Sequence, residues 1–140
     1  MSKTLLWLDD CRSPFDQEVD WLIFSPIGRD IDVVWVKSYD EFVKYILENN
    51  IPDGICFDHD LGEDVAKERV KNGLSKRQAR ILKRETLSGM DCAKWLVEYC
   101  TDMDKPLPKY NIQSANPVGR ENIDNLLKNF LKHVEISQEN

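Results

Sequence analysis

Three short runs of strand-forming residues, TLLWLDD (4–10), ICFDHD (55–60) and YNIQS (110–114), each pass from apolar residues straight into polar side chains. The apolar part of each run reads as a buried strand bounded by turn signals. Helical spacing fills the intervals. Ser38 with Glu41 fits a capping box ahead of an apolar stripe of Phe42, Ile46 and Leu47. Ser88 opens a second helix, with Met90, Ala93, Trp95, Leu96, Val97 and Cys100 at helical spacing and Asp91 in its first turn. Strands alternating with helices favour a parallel α/β sheet with helices on its faces. Ligands of such sheets bind at the carboxyl ends of the strands, where Asp9 and Asp10, Asp58 and Ser114 stand.

The remaining segments fit around that frame. WLIFS and DIDVVWVKS carry strand-type residues on either side of the turn signal PIG, a pattern that fits a hairpin. NNIPDG breaks the helix that starts at Ser38. Val70, Leu74, Ile81 and Leu82 suggest helical pieces with a thin apolar face inside a charged insertion, residues 63–86. KPLPK is a linker, ANPVG a turn, Glu121 to Lys132 a last helix, and EISQEN a frayed end. A chain of 140 residues is about one domain long, so residues 1–133 are assigned to a single α/β domain and 134–140 to a tail.

Composition narrows the function. A net charge of -6 argues against a general nucleic-acid coat. The first apolar run, LLWL, ends in two acids and is too short for a signal peptide, and no stretch approaches the roughly 20 apolar residues of a membrane span. Cys11, Cys56, Cys92 and Cys100 form no C-x-x-C pair, so free thiols and a cytoplasmic location are expected. His59 and His133 cannot build a zinc centre without cysteines at ligand spacing, so none is expected.

The acids carry the chemistry. A lone Asp after a strand is an ordinary turn residue. Asp9, Asp10 and Asp58 brought into one cleft would instead repel and raise one another's pKa, and Mg²⁺ or Mn²⁺ bound among their oxygens removes that repulsion. Ser114 and Asn116 are then candidates to hydrogen-bond a phosphoryl oxygen, with the backbone N–H groups near Val118 and Gly119 beside them. Arg12 and Arg120 are candidates for forked positive charge. Strand alternation turns His59 away from Asp58, which favours a supporting role over a catalytic one for this histidine.

The series LWLDDCRSP, FDHDLG, SGMDCAKWL and QSANPVGRENI resembles the cyclic-phosphate processing receiver domain, a divergent branch of the response-regulator receiver fold. The matches run in order over nearly the whole chain. The resemblance implies a flavodoxin-like, mostly parallel sheet flanked by helices. It implies that Asp9 and Asp10 hold Mg²⁺, that Asp58 is the phosphoryl acceptor and that Ser114 contacts the phosphoryl group. Three departures stand out. No clear first helix is visible between Pro14 and Asp30, no fifth strand with its phosphate-binding lysine is evident, and Gln113 stands where a typical member has histidine. The resemblance further implies action on, or binding of, nucleotide or RNA-end phosphates, cyclic phosphates among them, in an RNA-repair setting.

The expected function is therefore Mg²⁺-dependent processing of a phosphate ester, a cyclic or terminal phosphate of a nucleotide or RNA end. Asp58 would be nucleophile or metal ligand, with Asp60 and His59 as acid and base candidates. FDHD also resembles the D-x-D nucleophile motif of haloacid-dehalogenase-type phosphatases, and a metal-activated water is the other route. The rival is a receiver-like module that binds a phosphorylated nucleotide or protein partner without turnover. A third possibility is an inhibitor-like protein that works through its acidic face. One further feature bears on substrate size. Between residues 67 and 84 stand Lys67, Arg69, Lys71, Lys76, Arg77, Arg80, Lys83 and Arg84 against the single acid Glu68. Such a run is either a solvated face or a cap that draws polyanions toward the acids. Under the second reading, replacing Arg77, Arg80 and Arg84 together with Gln weakens oligonucleotide binding more than mononucleotide binding. It also lowers the salt dependence of the former by roughly 2–3 in log–log slope. Affinities across a salt series check this; no loss for either ligand leaves the run a solvated face.

Overall fold

The computed structural model describes residues 3–61, 73, 75, 77–78, 87–114 and 116–139. The helical pieces expected around Val70, Leu74, Ile81 and Leu82 lie outside the described residues. Four parallel strands, β1 (Lys3–Leu8), β2 (Ile31–Val36), β3 (Gly54–Phe57) and β4 (Lys109–Ile112), form one sheet in the order β2-β1-β3-β4. Among the described residues three α-helices accompany it: α1 (Tyr39–Asn49), α2 (Gly89–Asp102) and α3 (Pro117–Glu139). No helix among the described residues is long and apolar enough to cross a membrane.

Strand order decides which face each connection covers. The chain steps from β1 outward to β2, then returns past β1 to β3 and on to β4. Crossovers between parallel strands are right-handed, so the first connection covers one face and the later ones cover the other. Leu6, Leu8, Ile55 and Phe57 accordingly pack with Phe42 and Ile46 of α1, Ala93 and Leu96 of α2, and Ile123 and Leu127 of α3. Fully burying each such side chain contributes about 1.5–3 kcal/mol. The alternating partners Leu5, Trp7 and Cys56 face the opposite way, toward Trp21, Leu22, Phe24 and Ile27.

That second face corrects the expected hairpin. Trp21–Phe24 is a short 3₁₀ turn, and Ile31–Val36 pairs in parallel with β1. Burial overrode strand propensity here: Trp21 lies 6.5 Å from Trp7, ring to ring, and 6.2 Å from Phe24. Cys56 Sγ and Asn111 Nδ2 both donate to the Phe24 carbonyl, which staples the turn to the sheet.

Caps set the helix starts. Ser38 Oγ accepts from the Glu41 N–H, while the Glu41 carboxylate reaches back to the Lys37 N–H. Ser88 and Asp91 form a full reciprocal box. The last helix starts four residues earlier than expected, because Asn116 Oδ1 accepts from the Gly119 N–H at 3.0 Å and Pro117 takes the first helical position. It continues through the segment expected to fray, to Glu139. Leu47 leaves its expected stripe: it is 62% exposed, and Val43 packs on the core beside Phe42 and Ile46.

One contact locks the helical layer to the end of β3. The Gly89 N–H donates to the His59 carbonyl at 2.8 Å, and a Cβ on Gly89 would stand 1.8 Å from the Asp58 carbonyl oxygen. Backbone cannot yield as a side-chain tip can, so Gly89→Ala must push α2 away from the Asp58–His59 peptide. Overpacking of this kind costs about 1–3 kcal/mol or more, a drop in Tm of roughly 5–15 °C. Leu47→Ala, at the exposed position, should stay within about 0.5 kcal/mol of the parent. Thermal unfolding followed by circular dichroism checks both.

Candidate functional site

Strand pairing continues past the ends of the strands. Asp9 N–H donates to the Val36 carbonyl, Asp58 N–H to Leu8 and Gln113 N–H to Phe57, at 3.1, 3.0 and 3.0 Å. Trp7, Cys56 and Asn111 are register partners across β1, β3 and β4. Two residues further along, the pleat brings Asp9, Asp58 and Gln113 into one row on that same face. The row crosses the junction of β1 and β3, where the chain reverses its direction of travel across the sheet. A parallel sheet opens its ligand crevice at such a junction.

Asp9, Asp10 and Asp58 are all buried, and each offers a carboxylate oxygen within 4.8 Å of the others. Asp9 Oδ1 accepts from the N–H groups of Cys11 and Arg12, at 3.0 and 2.9 Å. Asp9 Oδ2 is buried without a hydrogen-bond partner among the described residues, with Arg12 Nη1 at 3.7 Å. Burial raises the pKa of Asp9, against the pull of those two N–H groups and of Arg12. Asp58 is pushed up to about 8, first by burial and then by the charges of Asp9 and Asp10. The donors are carboxylate oxygens alone, with no thiol or imidazole among them. Such a set could hold a hard divalent cation and does not suit a soft one.

The other expected residues divide. Arg12 is near the acids but engaged in the frame: Nη1 donates to the Gln113 carbonyl at 3.0 Å, and the guanidinium lies 5.2 Å from the Trp21 ring centre. Ser114 is buried at the end of β4, and its Oγ accepts from the Asn116 N–H at 3.1 Å. Asn116 caps α3 with its carbonyl and donates through Nδ2 to Asp60 Oδ1 at 3.3 Å. The same Asp60 oxygen pairs with His59 Nδ1 at 2.9 Å. The His59 ring lies on the first turn of α3, where a Cβ on Gly119 would come within 2.3 Å of it. His59, Asp60 and Asn116 thus form one linked group. Arg120 goes elsewhere. It is exposed on a groove of about 560 Å³ beside β4, lined also by Tyr110, Asn111, Glu121 and Asp124.

Sequence reasoning passed over several residues that hold the acids in place. Trp35 Nε1 donates to the Asp9 carbonyl at 2.7 Å, and Trp7 Nε1 to the Arg12 carbonyl at 2.8 Å. Gln113 is buried, and its Nε2 reaches across β3 to the Leu8 carbonyl at 2.9 Å. Period-two counting from Asn111 would have put Gln113 on the face of Asp9 and Asp58; the tryptophan bonds have no comparable signal.

The family model for the cyclic-phosphate processing receiver domain matches residues 4–129, a span that includes all three acids and Ser114. A search of curated proteins finds no match. Among solved structures the chain is similar to the signal receiver domain of a putative Luxo repressor protein from Vibrio parahaemolyticus. That match has a TM-score of 0.43 and 12% identity, and it covers 99% of this chain and 96% of that one.

The raised pKa of Asp58 has a stability consequence whose sign is determined. An unfolded Asp titrates near 3.9, while the folded one titrates at about 8. Between these values the folded state holds the extra proton, so this group's contribution to stability is present below about pH 4 and is lost as pH rises to about 8. In EDTA, Asp58→Asn should therefore melt several degrees above the parent at pH 8.5, and the difference should shrink toward pH 4. Thermal melts across that range check it; a variant that melts below the parent at pH 8.5 would contradict the assignment.

Proposed function

This chain belongs to the cyclic-phosphate processing receiver domain family, and from that premise we propose that it processes a phosphate ester at the Asp9–Asp10–Asp58 cluster with Mg²⁺ or Mn²⁺. The substrate class we favour is a cyclic or terminal phosphate of a nucleotide or RNA end, in the setting of RNA repair. One observation carries this reading. Three buried carboxylates meet at the strand junction, with a buried Asp9 oxygen that no donor among the described residues satisfies. A cluster of like charge out of water is costly, and a dication among its oxygens offsets that cost.

When bound, a dication supplies charge neutralisation and Lewis acidity at phosphorus. The chain's own residues do the rest. Asp58, at the end of a buried strand, is held rigidly; opposite charge nearby favours its ionised form, the form that can attack phosphorus or serve as a ligand. In the first route a new Asp58–phosphorus bond forms as the ester P–O bond breaks, and the leaving oxygen takes up a proton. We assign the exchange of that proton to His59 with Asp60. Asp60 engages Nδ1, which leaves Nε2 to give or take it. In the second route Asp58 stays a ligand and a water attacks. Ser114 Oγ accepts from the Asn116 N–H and keeps its own hydroxyl proton to donate, and we assign that donation to a phosphoryl oxygen.

The binding-module reading has one observation in its favour. Arg12, the cation beside the acids, is tied to Gln113 and Trp21. A screen of nucleoside 2′,3′-cyclic phosphates, nucleoside monophosphates and RNA oligonucleotides with cyclic ends, with Mg²⁺ or with EDTA, separates the readings. Mg²⁺-dependent turnover is expected, and Asp58→Asn should lower it by at least about 100-fold while the fold persists. Saturable binding without turnover selects the module. For Asp60→Asn, a covalent phosphate trapped on Asp58 and seen by mass spectrometry supports the nucleophile, and its absence favours water attack.

A further inference from the structure

Two buried side-chain atoms among the described residues have no hydrogen-bond partner: Asp9 Oδ2 and Gln113 Oε1. They belong to the residues on either side of Asp58 in the row that crosses β1, β3 and β4. The orientation of the Gln113 amide is fixed by its neighbour. The Leu8 carbonyl, 2.9 Å away, accepts and cannot donate, so the nitrogen must face it and the oxygen must face away. Gln113 is 95% buried, its relative exposure being 5%, so water does not satisfy that oxygen in the way it would at a surface. Buried polar atoms of this kind are uncommon, and here they flank one carboxylate.

We infer that Gln113 Oε1 is a further oxygen donor to the cation held by Asp9, Asp10 and Asp58, either directly or through one of the waters that Mg²⁺ retains. This rests on the metal reading of the preceding subsection. An amide carbonyl suits the position chemically. It is a hard oxygen ligand, and it adds coordination without adding a fourth carboxylate to the buried three. The Leu8 bond gives Gln113 the role of a supporting ligand arm: the nitrogen anchors, and the oxygen serves the site. It also explains why the side chain crosses β3 rather than turning to solvent.

The test compares two variants that lose the same anchor and differ in oxygen. Gln113→Met and Gln113→Glu both remove the Nε2 donor to Leu8, but only Glu keeps an oxygen at the end of the side chain. Mn²⁺ and Mg²⁺ affinity by calorimetry, and the rise in Tm on adding metal, are measured for both and for the parent. Gln113→Met should weaken metal binding at least fivefold, and Gln113→Glu should bind at least as tightly as the parent. Metal-free melting temperatures report the lost Leu8 bond separately. Should the Met variant not fold, Gln113→Asn, which draws the oxygen back by one methylene, should weaken binding in the same way. Equal affinity in Gln113→Met and the parent overturns the inference, as do equal losses in Met and Glu, which would reduce Gln113 to its anchor. A parent protein that binds no metal removes the metal reading itself, and this inference with it.

Discussion

Like charges held close together out of water push apart, and Asp9, Asp10 and Asp58 stay together because their backbones are held from outside the cluster. The ladder bonds from Asp9 to Val36 and from Asp58 to Leu8 extend the sheet beneath them. Trp35 grips the Asp9 carbonyl, and Trp7 grips the Arg12 carbonyl one turn later. Arg12 and Gln113 close a bridge from the loop after β1 to the end of β4. None of these bonds depends on the ionisation state of the cluster, so the frame can hold the acids while their protonation changes.

The same frame accounts for the unusual cover on the outer face. The first connection must lie on the face opposite the helices, because β2 is placed on the other side of β1 from β3. Its one regular element is the short 3₁₀ turn Trp21–Phe24, and it covers the sheet with aromatic side chains. Trp21, Phe24 and Trp7 cover a wide apolar area with little backbone, and Trp21 presents its face to the Arg12 guanidinium as well. A turn built this way does two things a helix in its place would do: it dries the sheet face opposite α1, α2 and α3 and holds the loop that carries Asp9 and Asp10.

Much of this was legible in the sequence where one rule governed. Strands alternating with capped helices imply a parallel sheet, and a parallel sheet gathers its strand ends, so Asp9, Asp10, Asp58 and Ser114 could be brought to one end of the fold on paper. Where two rules competed, reading failed. The strand propensity of WLIF was real but yielded to burial, and no local signal separates the two outcomes. Arg12 looked like a free phosphate clamp because its partners, Trp21 and the Gln113 carbonyl, lie 9 and 101 residues away. Gly89 and Gly119 were visible within their motifs, yet their reason is a close approach of the Asp58 backbone and the His59 ring that only the folded chain shows. The start of α3 was within reach, since Asn followed by Pro is a capping signal in its own right.

The placement of positive charge follows from the placement of the acids. An anionic ester approaching the strand ends meets three carboxylates, and Arg12, the cation beside them among the described residues, is already bound into the frame. Arg120 lines a groove beside β4 together with Tyr110, Glu121 and Asp124, and none of the three acids of the cluster lines that groove. Under the proposed function, counter-charge for the substrate must therefore come from sources other than the strand-end side chains. One is a dication, which Asp9, Asp10 and Asp58 would hold and which would neutralise the phosphoryl oxygens. The other is the basic run of residues 67–84, which the chain inserts between the end of β3 and the start of α2. These act at different ranges. A dication contributes within its coordination sphere, while solvated charges act over about a Debye length, roughly 8 Å at physiological salt. A division of this kind lets an acidic protein orient a small phosphate group by coordination and attract a longer polyanion by its field. Recognition of the reacting phosphate and recognition of the strand that carries it would then be separable properties of the same chain.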